Sequence, residues 1–160
     1  MSNEWLQLDP EELDSERDEM IQGVEVRVLV SPYDVPEAVR GFYDKHVKRF
    51  VIEFQYIGDE PLKRQSFDEY VHLRTGKNSH RLYAIEIAVD ALKATAVGLR
   101  MGVQQEVAKT LDSLVDRPID RRRRNNYRVA QTAIANKKEQ LFGAFGQTSG
   151  ERGQITAMCL

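Results

Sequence analysis

The chain lacks the residues from which disulfides and metal centres are built. It has one cysteine, Cys159, among 160 residues, which excludes a disulfide within the chain and favours a reducing compartment. Its three histidines, His46, His72 and His80, lie far apart, and none of the common zinc or calcium spacings occurs. We therefore expect no metal and no other cofactor.

Long apolar runs and leader-like segments are also missing. No stretch approaches the roughly 20 apolar residues that a membrane-spanning helix needs. Residues 1–20 have neither a basic start nor an apolar centre, so we do not expect a secretory signal. Cys159 is next to last, whereas prenylation requires a cysteine four residues from the end. These absences predict a cytoplasmic protein that makes no membrane contact.

Charge is distributed unevenly along the chain. Residues 1–19 carry eight acids and one arginine, whereas residues 117–160 carry nine bases and three acids. This polarity indicates either a polyanion partner for the basic end or pairing between the two ends. Because the formal net charge is only -2, any affinity for nucleic acid has to be local to the basic end.

The hydrophobic pattern predicts an α+β fold, with an antiparallel β-meander of four or five strands followed by a C-terminal helical hairpin. The length is that of a single domain. Its expected parts are an acidic N-terminal arm over 1–22, the meander over 23–88, the helical hairpin over 89–145, packed on the sheet or at a dimer interface, and a flexible tail over 146–160.

Period-two alternation predicts the strands. Val24, Val26, Val28 and Val30 alternate with more polar residues and predict a half-buried strand. Further strands are expected over 38–43, 50–56, 69–74 and 81–89, the last two joined as a hairpin through residues 75–80. In the arm, Asp9 followed by Pro10 indicates the start of a short helix. The arm either docks through its few apolar residues or is disordered, and its high charge favours disorder.

Helical spacing begins after the last predicted strand. Apolar residues recur every three or four positions from Val89 to Leu114, which predicts one long helix or two helices broken near Gly98 or Gly102. A second helix is expected to start near Pro118 and to end at Gly143.

Three segments carry a resemblance to a known family. They are Gly41-Phe42-Tyr43-Asp44, Phe50-Val51-Ile52-Glu53-Phe54 and Arg81-Leu82-Tyr83-Ala84-Ile85-Glu86-Ile87. Together they resemble the short prokaryotic family called domain of unknown function 2283, whose sequences read as a Tyr-Asp turn, an apolar strand and a closing Gly-Ile-Glu-Ile-like strand. Ala84 replaces the usual glycine, and the middle is longer. The resemblance implies a β-meander and nothing about activity, because the family is uncharacterised.

The second helix carries the most specific candidate for a binding site. Arg117, Arg121, Arg124 and Arg128 are spaced four, three and four residues apart, so they form one stripe about 130° from the apolar face of the helix. Guanidinium groups suit phosphate oxygens, and the stripe is a candidate polyanion-binding site. The alternative, which we favour, is a solvated face or a partner for the acidic residues 11–19, since no nucleic-acid recognition motif is present.

A candidate for catalysis is the outward face of the predicted sheet. Alternation places Tyr70, His72 and Arg74 beside Glu86, with Arg49 and Glu53 as further neighbours. A histidine near a carboxylate is suited to general acid–base chemistry. Any solvent-facing sheet surface has similar residues, however, and no nucleophile or second acid is fixed beside the histidine. We assign no catalytic residue.

The first helix also suggests self-association. Two long helices offer more apolar surface than one sheet face needs, so we predict a homodimer with Val103, Val107, Leu111 and Leu114 at or near its interface. The same stripe would serve for packing on the chain's own sheet. The function that these patterns favour is a small non-enzymatic binding or oligomerisation module, with a protein partner preferred over nucleic acid.

Overall fold

An antiparallel sheet backed by helices dominates the structure. The computed structural model describes residues 5–13, 15–89, 96–117 and 120–143. The strands of this part are β1 (Leu6–Gln7), β2 (Glu16–Ile21), β3 (Val24–Leu29), β4 (Ala38–Asp44), β5 (Arg49–Gln55), β6 (Leu62–Ser66), β7 (Val71–Gly76) and β8 (Leu82–Ala88). Its helices are two 3-10 turns, Pro10–Glu12 and Pro32–Asp34, then α1 (Ala96–Asp116), α2 (Arg121–Asn136) and a further helical segment over 138–143.

Six of these strands form one sheet in the order β1-β4-β5-β8-β7-β6, with every neighbouring pair antiparallel. A β4–β5 hairpin and a β6–β7–β8 meander join where β5 pairs with β8, placing Ile52 opposite Ile85. The predicted α+β class, with an antiparallel sheet followed by helices, is confirmed. The predicted 75–80 hairpin is also present, between β7 and β8.

The core lies between one face of this sheet and the two helices. Alternate residues of β5 and β8, including Phe50, Ile52, Ile85 and Ile87, are buried on this face. The segment 138–143 closes it, because Phe142 stacks on Phe50 with 5.7 Å between ring centroids. Gly41 permits this close packing, since a Cβ there would lie 3.1 Å from Phe50 Cζ and 3.2 Å from the Leu141 carbonyl oxygen.

The described part of the acidic arm is ordered, so the expectation of disorder is wrong for it. Leu8 and Leu13 are buried in the core, and Trp5 lies 4.3 Å from the Arg40 guanidinium. Asp9 caps the predicted short helix by accepting a hydrogen bond from the Glu11 amide at 3.0 Å. Burial of the two leucines supplies the apolar contact that a highly charged segment needs in order to fold.

β2 and β3 form a separate two-stranded sheet, which we call the ribbon. A two-residue turn at Gln22 and Gly23 connects them, with φ values of 51° and 80°, as tight hairpins require. The strand over the alternating valines is therefore confirmed, but its predicted burial is wrong: Val24 is 60% exposed and Val26 37% exposed. The reason is that β3 pairs with the acidic β2 and not with the main sheet.

The helical predictions are largely reproduced. α1 continues through Gly98 and Gly102, so the single long helix is the correct alternative over the described residues. α2 begins at Arg121, after the cap Asp120, and is interrupted at Lys137 before the segment 138–143. Pro118, residues 90–95 and the predicted tail over 146–160 lie outside the described residues. Neither described helix combines the length and apolar character needed to cross a bilayer.

The stacking of Phe142 on Phe50 yields a stability prediction. We expect Phe142→Ala to lower the free energy of unfolding by about 3–5 kcal/mol, because it leaves a cavity between β5 and the helices. The exposed neighbour Gln140 provides a matched control, and Gln140→Ala should change the value by less than about 0.5 kcal/mol. Urea denaturation followed by circular dichroism measures both. Equal effects of the two substitutions would show that the segment 138–143 is not docked on the sheet.

Candidate functional site

In the structure, the four arginines of the predicted stripe do not share one role, because they make different contacts. The Arg117 guanidinium lies 4.6 Å from the centre of the Phe67 ring. Arg124 reaches the end of α1, where its Nε donates to the Val115 carbonyl at 3.2 Å. Such a contact satisfies a helix-terminal carbonyl that has no partner within the helix. Two of the four arginines therefore have structural contacts that account for them.

Three of the stripe arginines, Arg121, Arg124 and Arg128, line a groove shared with the ribbon. Arg128 lies 3.5 Å from Glu19 of β2, whereas Arg121 is exposed and pairs with no carboxylate among the described residues. The groove has a volume of about 810 Å³ and lies between α2 and the turn end of the ribbon, residues 19–22. The Arg128–Glu19 contact is a pairing between the acidic and basic ends, which was the alternative to a polyanion site.

The predicted polar face of the sheet exists as a network of ion pairs. Glu86 contacts Arg74 at 2.9 Å, Arg64 at 3.0 Å and Arg49 at 3.2 Å. Glu53 pairs with Arg40 at 2.6 Å and with Arg74 at 3.0 Å. The sequence predicted the membership of Arg49, Arg74, Glu53 and Glu86. It missed Arg40 and Arg64, which come from β4 and from the unpredicted strand β6.

His72 lies opposite Glu86 in the strand register, as expected. Three arginines already share the Glu86 carboxylate, so its oxygens are engaged in ion pairs with them. His72 Nδ1 is buried and has no hydrogen-bond partner within the described residues. Tyr70 packs partly buried against the core. The geometry therefore supplies no acid–base pair at this face.

A second polar cluster, which the sequence did not reveal, connects α2 to the sheet. Asp34 is 2% exposed and accepts hydrogen bonds from Arg81 at 2.8 Å and from Arg122 at 2.7 Å. Burial acts to raise the pKa of Asp34, but hydrogen bonds and charge attraction from Arg122 and Arg81 outweigh it and lower the pKa. The carboxylate is therefore held ionised inside the protein.

Asn126 of α2 completes this connection. Its side-chain amide donates to the Asp34 carbonyl at 2.9 Å and to the Tyr56 hydroxyl at 3.0 Å. Its side-chain oxygen accepts from the Leu82 amide at 3.0 Å. Burial raises the pKa of Tyr56 above its usual range, so this hydroxyl stays protonated and donates to the Leu82 carbonyl. Asn126 thus uses both ends of its amide in fixed contacts.

Glu60 anchors the turn between β7 and β8. Its carboxylate accepts from the amides of Asn78 and Ser79, each at 2.9 Å, and from the Tyr83 hydroxyl at 3.0 Å. Burial alone would raise the pKa of Glu60, but the Ser79 hydroxyl and these amides lower it to about 2. Gly76 makes room, because a Cβ there would overlap the carboxylate.

The ribbon exposes apolar side chains on both of its faces. Val24 at 60% and Val26 at 37% lie on one face, and Met20 at 69% and Leu29 at 65% lie on the other. Arg27 of β3 forms long ion pairs with two acids of β2, Asp18 at 3.4 Å and Glu16 at 3.6 Å. No described strand pairs with the outer edge of either ribbon strand. The sequence pattern predicted the strand that carries the valines, but it also predicted that the valines would be buried.

The apolar residues of α1 that were predicted to lie at a dimer interface are buried within the chain. Val103, Val107, Leu111 and Leu114 are between 0% and 4% exposed within the single chain. Their side chains belong to the core formed with the sheet and α2. The alternative of packing within the chain therefore describes them, although Val107 and Leu111 also line an apolar groove of about 380 Å³ between α1 and α2.

Comparison with known proteins adds no further information. No protein-family model matches the chain, and no curated protein or solved structure matches it. The resemblance to the domain of unknown function 2283 family stays a prediction. The described residues contain no group of three or more histidine, cysteine, aspartate or glutamate side chains arranged to hold a metal ion.

The low pKa of Glu60 predicts a pH dependence of stability. Because the folded value of about 2 lies below the ordinary value of 4.5, the ionised carboxylate stabilises the fold above pH 4.5. This contribution is lost as the pH falls from 4.5 towards 2. We expect Glu60→Gln to destabilise the protein more at pH 7 than at pH 3 in urea denaturation. The exposed control Glu37→Gln should not show this difference, and an equal effect of Glu60→Gln at both pH values would contradict the anchoring role.

The division of the arginine stripe is also testable. We expect Arg124→Ala to lower the free energy of unfolding by about 1 kcal/mol, because it leaves carbonyl groups at the end of α1 without a side-chain donor. Arg121→Ala removes the same charge from the next stripe position and should change the value by less than about 0.5 kcal/mol. Thermal or urea unfolding measures both variants. Identical stability of the two would contradict the role of Arg124 at the end of α1 and would make it a candidate ligand contact again.

Proposed function

We propose that the chain is a protein-binding module whose contact surface is the ribbon. The observation that carries this proposal is the exposure of Met20, Val24, Val26 and Leu29 on two strands whose outer edges have no described partner. Val24 and Val26 lie on one face of the ribbon and Met20 and Leu29 on the other, and exposed apolar side chains of this kind are typical of surfaces that bind another protein. Unpaired strand edges supply the backbone donors and acceptors for such binding.

The architecture of the ribbon supports the same conclusion. A two-stranded hairpin is only marginally stable in water on its own. Here the Val30 amide donates to the Ser15 carbonyl and continues the ladder between the two strands of the ribbon, and the Arg128–Glu19 contact links the ribbon to α2. A third strand or an apolar cover would bury the valines and extend the hydrogen-bonded ladder, so the ribbon gains stability from a partner.

The other two functions have weaker support. Polyanion binding through α2 would use four arginines, of which Arg124 caps α1 and Arg128 contacts Glu19. Catalysis by His72 would require a free base or acid beside it, and Glu86 is shared among three arginines. Among the described residues each of these sites leaves one side chain without a partner, Arg121 and His72, whereas the ribbon exposes four large apolar side chains.

A photo-crosslinking experiment tests the proposal. Benzoylphenylalanine is placed at Val24 in the full chain and, as a matched control, at Val47, which is 50% exposed in the β4–β5 turn. We expect irradiation of cells to give discrete protein adducts from position 24, with the chain itself or with another protein, and none from position 47. The adducts should disappear when Leu29→Lys makes the ribbon polar. No adducts, or the same adducts from both positions, would contradict a binding role for the ribbon.

A further inference from the structure

We propose that the partner of the ribbon is a second copy of this chain, bound by antiparallel pairing of β3 with β3 around a twofold axis at Val26. This inference rests on the proposed function, because it assigns the occupant of the same surface. Its product is a continuous four-stranded sheet in the order β2-β3-β3-β2 across the two copies. The argument follows from the backbone direction, the register and the charges of one strand.

The hydrogen-bond pattern of the ribbon determines which groups are free. The Val30 amide donates to the Ser15 carbonyl at 2.8 Å, so these two residues form a hydrogen-bonded pair of the antiparallel ladder. Bonded and non-bonded pairs alternate along such a ladder. The backbone groups of Val24, Val26 and Val28 are therefore directed towards β2. Those of Glu25, Arg27 and Leu29 are directed away from it, to the edge that no described strand occupies.

Symmetry then limits the register. In a twofold antiparallel pairing about an axis perpendicular to the sheet, residues opposite each other must share a face, so the axis passes through a residue. An axis at Glu25 places Glu25 opposite its own copy, and an axis at Arg27 does the same for Arg27. Both put like charges in contact, which destabilises a strand pair.

The axis at Val26 avoids this conflict and gives complementary pairs. Glu25 then lies opposite Arg27 of the second copy, and the reverse contact is generated by symmetry. Val26 meets its own copy, and Val24 meets Val28 of the second copy. The outward backbone groups of Glu25 and Arg27 face each other in this register, so they form hydrogen-bonded pairs of the new ladder.

Charge also selects β3 over β2 as the edge that associates. β2 carries acids at Glu16, Asp18 and Glu19, and charged side chains of this kind protect an edge from pairing with another copy. β3 carries one acid and one base, two residues apart. Arg27, whose side chain is 58% exposed, would lie between Asp18 of its own β2 and Glu25 of the second copy. Both its faces would then have acidic neighbours.

Disulfide trapping tests the register directly. In a Cys159→Ser background, Val26→Cys places two thiols at a non-hydrogen-bonded pair on the axis, where Cα atoms are about 4.5 Å apart, a distance that a disulfide spans. Val24→Cys is the control, because Val24 is more exposed than Val26 and random collisions would oxidise it at least as fast. We expect the Val26→Cys chain to form covalent dimers at least about tenfold faster. Equal or faster trapping at position 24 would overturn the proposal.

Charge exchange provides a second test that does not depend on the folding of one variant. Arg27→Glu alone and Glu25→Arg alone each place like charges at both new pairs, so each should weaken the dimer by about tenfold or more in sedimentation experiments. An equimolar mixture of the two variants restores opposite charges and should form a mixed dimer. Failure of the mixture to associate would overturn the register, whatever the single variants do.

The two levels of the argument fail separately. If position 24 yields adducts with other proteins while Val26→Cys does not trap a dimer, the ribbon is a binding surface and its occupant is not a second copy. If position 24 yields no adducts at all and no dimer is trapped, the proposed function fails as well.

Discussion

The attachment of the helices to the sheet depends on one buried carboxylate. Asp34 ends the 3-10 turn between β3 and β4 and is held there by Arg81 next to β8 and by Arg122 of α2. A buried charge is tolerated only when its partners satisfy it, and removal of either partner would leave it uncompensated. The carboxylate therefore ties three elements that are distant in sequence. Asn126 adds uncharged hydrogen bonds to the same junction, so the position of α2 is specified by geometry as well as by apolar burial.

This junction explains what the basic run at the start of α2 does. Four consecutive arginines, residues 121–124, resemble a patch for a polyanion when they are read as charge alone. On the helix they point in different directions: Arg122 binds Asp34, Arg123 pairs with Asp120 at 3.2 Å, and Arg124 caps α1. Arg121 and Arg124 both line the groove, and neither has a carboxylate partner in the described chain. The ion pair between the acidic and the basic ends in the described residues is that of Glu19 with Arg128.

Local periodicity predicted the elements that have one buried face. The strands β4, β5, β7 and β8 and the two helices were predicted, because each packs at least one side on the same core. β5 and β8 are buried on both faces, since Val51, Ala84 and Glu86 are buried as well. The strands β1, β2 and β6 were missed for physical reasons. β1 has two residues, β6 is exposed along its whole length, and β2 is a largely acidic segment that pairs with β3 outside the main sheet, so none of them shows an alternating apolar pattern. The Asp34 cluster could not be predicted from local periodicity either, because its contacts join residues that are 47 and 88 positions apart in the sequence.

In the ribbon, an alternating apolar pattern does not coincide with buried side chains. The valines of β3 alternate as regularly as those of the buried strands, yet the neighbour of β3 is an acidic strand that lies outside the main sheet. An alternating pattern indicates that one face of a strand is suited to burial, but it does not predict which surface covers that face. For β5 and β8 that surface is the helical layer of the same chain. For β3, Val24 and Val26 stay exposed in the described part of the chain. The proposed pairing with a second β3 rests on the alternation of Glu25 and Arg27 with these valines, which brings opposite charges together when two copies meet antiparallel.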